Sequence, residues 1–150
     1  MGEDFNTRTR TVYYSTGPGL TASNIPAYTG CAMCSTDGRS VQAIATASDY
    51  LYLQFAGVTR EDGLTVGKYG SIVKDGPCKF KVGPGGTTAG YQTTLTNSGK
   101  ICVWNTDQAG HNFITLGPAE VTANSDDVIT HYLRPELSSS SLTSASTPID

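Results

Sequence analysis

Lys79-Phe80-Lys81-Val82, closed by Gly83-Pro84-Gly85-Gly86, is the stretch on which the fold turns. The two lysines share one face and Phe80 and Val82 the other, which is the two-residue period of a strand with one side buried. The Gly/Pro cluster then ends the run as a hairpin or a loop at a barrel rim. The same alternation recurs in Tyr50-Leu51-Tyr52-Leu53-Gln54-Phe55, where Leu51, Leu53 and Phe55 share a face. It recurs again in Lys100-Ile101-Cys102-Val103-Trp104 and in Val128-Ile129-Thr130-His131-Tyr132-Leu133.

Around these runs, short apolar segments alternate with turn signals: Asp37-Gly38, Glu61-Asp62-Gly63, Asp75-Gly76-Pro77, Asn97-Ser98-Gly99 and Ala109-Gly110. Punctuation this frequent predicts an all-β fold, a small β-barrel or β-tulip-like sandwich of short strands. Only Ser40 to Tyr50 and Ala119 to Asp126 have the composition for a helical turn or two. The 150 residues fit one domain, and 14 Ser, 21 Thr and 17 Gly with only 15% charged residues are far from the make-up of a helical bundle.

Three regions follow. Residues 1–26 read as an extended N-terminal arm, broken at Gly17-Pro18-Gly19 and bent at Asn24-Ile25-Pro26. Residues 27–136 form the β-barrel domain, and residues 137–150 a flexible Ser/Thr-rich tail too poor in apolar surface to offset its ordering entropy. Within the barrel region two halves offset by about 60 residues carry the same succession of events. Thr29-Gly30, the turn at 35–39, Phe55-Ala56-Gly57-Val58-Thr59, the acidic turn at 61–63 and Ser71-Ile72-Val73 are matched by Ala89-Gly90, the turn at 97–100, Phe113–Ala119, Ser125-Asp126-Asp127 and Val128-Ile129-Thr130.

The formal charge of -3 offers nothing to draw in nucleic acid or an anionic membrane, and no apolar run reaches the length of a membrane span. The polar, acidic start Met1-Gly2-Glu3-Asp4 predicts synthesis without a signal peptide.

Candidates for chemistry are thin. Cys31-Ala32-Met33-Cys34 has the C-x-x-C spacing, but Cys78 and Cys102 are single. Reduced, packed thiols, one or two disulfides and a metal site all remain open, the first being the reading the flanking residues favour. His111 sits in a turn and His131 on a strand, with no hydrolase motif beside either. Glu61-Asp62 and Asp126-Asp127 lack the spacing of a calcium loop, and no phosphate-loop lysine follows Gly83–Gly86. No catalytic, cofactor or metal residue is therefore assigned. Tyr28, Tyr50, Tyr52, Tyr69, Tyr91, Trp104 and Tyr132 support one rival reading, a non-catalytic carbohydrate-binding β-sandwich module with stacking rings.

The placement of glycines and turns carries a resemblance. Ser35-Thr36-Asp37-Gly38-Arg39, Phe55-Ala56-Gly57-Val58-Thr59, Glu61-Asp62-Gly63, Gly70-Ser71-Ile72-Val73, Thr88-Ala89-Gly90-Tyr91, Asn97-Ser98-Gly99-Lys100, Leu116-Gly117 and Asp126-Asp127-Val128-Ile129 resemble the pattern of the capsid decoration, or cement, proteins of tailed bacteriophages. The likeness spans residues 27 to 133, while the four cysteines, the single Trp104 and the serine-rich tail depart from it. It implies a homotrimer, or less often a monomer or dimer, on the outer surface of the virion head that clamps adjacent major capsid proteins against internal DNA pressure, with no cofactor. The arm then supplies the capsid contact: Phe5, Val12, Tyr13 and Tyr14 as apolar anchors, Arg8 and Arg10 pairing with acidic groups. On that reading, removing residues 1–15 leaves the barrel folded.

Overall fold

The computed structural model describes residues 7–14, 23–33, 40–44, 55–96, 98–104 and 114–137. They form ten strands: β1 (Arg8–Tyr14), β2 (Gly30–Met33), β3 (Ser40–Ala43), β4 (Phe55–Thr59), β5 (Tyr69–Lys81), β6 (Thr93–Leu95), β7 (Ile101–Val103), β8 (Ile114–Thr115), β9 (Val128–Leu133) and β10 (Glu136–Leu137). No described residue is helical, so the all-β expectation holds. The sheet order β1-β3-β2-β4-β5, with β1 pairing back onto β5, closes a five-stranded barrel.

β5 organises the molecule. Its first part pairs with β1, from Tyr13 opposite Tyr69 to Arg8 opposite Asp75, and its last six residues pair with β9. Asp75-Gly76-Pro77 is therefore no turn but the place where a 13-residue strand changes partner. A register shift between Arg8 and Thr9 and the positive φ of Gly76 (97°) absorb the bend there. Successive residues of a strand face opposite ways. Ile72 thus packs with Val12, Tyr14, Cys31 and Val41, one cluster, while its neighbour Val73 packs with Ala32, Val58, Phe80 and the apolar residues of the second half, the other.

Three further expectations are corrected. Arg8–Tyr14 is a wall of the barrel, not part of a free arm: it lies antiparallel to β5 and parallel to β3. Its exposed residues conceal this, since only Val12 and Tyr14 of the seven are buried. Ser40–Ala43, a candidate helical turn, is a strand because Ala43, Gln42 and Val41 pair with Cys31, Ala32 and Met33. Ala119–Asp126 consists of a bend, the single bridge at Ala123 and a turn. The arm residues 1–6, the strand expected at 50–54 and the tail from 138 lie outside the described residues.

The repeat has a structural counterpart. Ile25 and Leu64 exchange both backbone hydrogen bonds at 2.9 Å, and Thr87 and Ala123 do so at 3.0 and 3.1 Å. Thr59 receives from Tyr28 and donates to Thr29, just as Ala119 receives from Gly90 and donates to Tyr91. The hairpin β2–β3 likewise finds its echo in β6–β7.

Candidate functional site

The expected capsid-contact residues divide sharply. Val12 and Tyr14 are 2% and 1% exposed, and the Tyr14 hydroxyl donates to Ser23 O at 2.6 Å. Burial, with the Cys31 thiol as a smaller influence, raises the Tyr14 pKa. Both side chains are committed to the chain's own core and do not serve as surface anchors. Arg8 is exposed and lies 3.6 Å from Asp75, a solvent-screened pair of small energetic value. Arg10 is exposed over Met33, its guanidinium 3.9 Å from the sulfur. Tyr13 points outward, and Phe5 lies outside the described residues.

The β1–β5 register sets Tyr13 directly opposite Tyr69 on that outer face. Their ring centroids are 5.2 Å apart with planes tilted by 58°, a favourable aromatic pair. Tyr69 is 77% exposed, more than any other large apolar side chain described. Beside it opens a cleft of about 440 Å³, lined by Arg60, Glu61 and Asp62 together with Lys68, Tyr69 and Ser71. Both segments are pinned by backbone. Gly63 N–H donates to Arg60 O at 2.9 Å and Lys68 N–H to Thr65 O at 3.1 Å, while Gly67 N–H reaches Tyr14 O at 3.0 Å. Gly63 is left-handed (φ 63°), and a Cβ there would collide with Ile25 O, so the turn requires glycine. Sequence reading finds the Glu61-Asp62-Gly63 turn and places Tyr69 among the aromatics, but misses Arg60 and Lys68 and the cleft they line together.

The remaining candidates are structural in character. His131 is fully buried, with Nε2 2.6 Å from Leu116 O and its ring edge-on to Phe80 at 6.3 Å. Burial lowers its pKa, outweighing the Leu116 carbonyl and the Glu120 carboxylate, which favour the charged form. Burial pushes the thiols of Cys31, Cys78 and Cys102 up to about 12, so at neutral pH they stand protonated rather than as nucleophilic thiolates. Among the described residues no three His, Cys, Asp or Glu side chains converge as metal ligands would. Asp126 and Asp127 belong to a solvated turn, with Asp127 Oδ2 accepting from Asn124 N–H at 3.0 Å. Tyr91 and Tyr132 are exposed, whereas Cys34, Tyr50, Tyr52 and His111 lie outside the described residues.

Against known proteins, no family model matches the chain, and no curated protein does. Among solved structures it is similar to the head fiber gp8.5 N base of bacteriophage phi29, at 13% identity and a TM-score of 0.54, with 85% of this chain and 94% of that one covered. At that identity the likeness is one of fold.

Proposed function

We propose that the protein is a structural, non-enzymatic component of a phage head, seated on the outer surface of the shell and holding adjacent major capsid proteins together. The observation that carries this reading is the fold shared with the phi29 head fiber base over nearly the whole of both chains. The decoration-like grammar of glycines and turns in residues 27–133 supports it independently. In this reading the chain works as a homotrimer. Its shell contact uses the start of β1, where Arg8 and Arg10 stand exposed, together with the residues preceding it. The closed barrel suits such a role, because closure leaves few strand edges to pair indiscriminately.

The test is co-sedimentation of the purified chain with expanded heads that lack it, counting bound copies per major capsid subunit. A saturating, stoichiometric ratio is expected, with a trimeric mass by light scattering. Absence of binding to such heads overturns the proposal, and a strictly monomeric mass in solution and on the shell removes the trimer.

A further inference from the structure

We propose that the cleft between the Arg60–Gly63 turn and the start of β5 binds a neutral oligosaccharide, with Tyr69 as the stacking platform. This is a second function beside the head role and does not rest on it.

The argument begins with Tyr69. An aromatic ring left 77% exposed forgoes burial that its size would otherwise reward, so its position is set by something other than the core. Tyr13 braces it from the opposite strand at 5.2 Å, and the Tyr13 hydroxyl lies over Gly67, in the turn that leads into β5. The ring is thus held, and its outer face is offered to solvent. The negative face of such a ring attracts the weakly positive C–H groups on the flat side of a pyranose.

The cleft beside the ring sets the rest of the chemistry. Its volume of about 440 Å³ lies within the range of small-ligand sites. Arg60 and Lys68 bring two positive charges, Glu61 and Asp62 two negative ones, and none of the four is ion-paired among the described residues. The opposed charges cancel at a distance, so no net field recruits an anion or a cation. At contact range they leave both donors and acceptors in one cleft, which suits hydroxyl groups, since each hydroxyl donates once and accepts twice. An apolar ligand would strip water from four charges without return. Polyhydroxyl rings satisfy both the polar walls and the aromatic platform.

The test is a titration of the full-length, isotope-labelled chain with maltotetraose, cellotetraose and triacetylchitotriose, followed through backbone amide shifts. At least one of the three should give saturable shifts confined to residues 60–71 and Tyr13. Tyr69→Ala should weaken that binding about tenfold or more, while Tyr69→Trp retains it. Tyr69 lies outside the core, and unchanged spectra of the variants away from the cleft verify their fold. No saturable shift with any of the three sugars overturns the proposal, as does binding that Tyr69→Ala leaves intact or shifts centred elsewhere. Loss of head attachment in Tyr69→Ala without sugar binding would make the tyrosine pair a protein contact instead. Failure of the wild-type chain to bind heads, with sugar binding preserved, would remove only the head role.

Discussion

His131 and Leu116 are joined across the second half of the molecule: the imidazole Nε2 stands 2.6 Å from the Leu116 carbonyl oxygen, which also accepts from Arg134 N–H at 3.2 Å. The contact requires hydrogen on Nε2. That leaves Nδ1, which is buried and has no hydrogen-bond partner, as the site where a second proton would have to go.

Acid should therefore loosen the fold at this point. The folded-state pKa of His131 lies below the ordinary 6.5 because of burial, so just below pH 6.5 the unfolded chain takes up a proton that the folded chain refuses. Its stability contribution is complete above pH 6.5 and shrinks as pH falls towards the lowered value. Urea midpoints at pH 7.5 and 5.5 should drop for the wild type and change much less in His131→Leu, where Leu116 O keeps its bond from Arg134. Equal drops in the two proteins would refute the assignment.

Removal of residues 1–15 should abolish the native fold, contrary to what the sequence alone suggests. The deletion takes away the strand that closes the ring between β3 and β5, along with buried Val12 and Tyr14. Lost burial alone amounts to about 3–6 kcal/mol, against a total stability of about 5–15 kcal/mol for ordinary domains. Thermal melts by circular dichroism should lose their cooperativity, and a native-like sharp transition would contradict the closed ring.

Two glycine substitutions separate backbone strain from steric collision. At Gly90 (φ 85°) an added Cβ would meet no atom within 4 Å, so Gly90→Ala should cost only about 1–2 kcal/mol for its left-handed backbone. Gly63→Ala adds a collision with Ile25 O and should cost clearly more, by denaturant titration. Equal losses would mean that the Ile25–Leu64 bridge yields easily.

Cys31, fully buried with its pKa pushed up to about 12, should resist iodoacetamide at pH 8 in the native protein and react on unfolding, as read by peptide mass mapping. Above the ordinary thiol value of 9.0 the unfolded chain releases a proton that the folded one keeps, so stability should also decline at alkaline pH. Rapid native labelling of Cys31 would show that the barrel opens readily.

The parts legible in the sequence are those where pairing and burial coincide over a few residues. Val128–Leu133 alternates exposed and buried at every position, and Phe80 and Val82 are buried as their spacing requires. The repeat is legible too, because its glycines and turns recur where hydrogen bonds recur. β1 is not: Arg8–Thr11 are all exposed, and what makes them a strand is a partner some sixty residues away. Gly76 misleads for a related reason, since glycine marks a bend in a long strand as readily as a turn between two short ones. The cleft at Tyr69 is lined entirely within residues 60–71; its acidic turn and its aromatic residue are both visible in the sequence, and what is not visible is that the β4–β5 connection brings them together.

The uninterrupted strand β5 also governs how the protein comes apart. Because Ile72 and Val73 stand in different apolar clusters, this strand ties the two together, and their amides should be among the slowest to exchange. The two halves should therefore melt together. A protease that cuts at the buried centre of this strand, Ile72–Val73, should therefore find its site only when the sheet opens there.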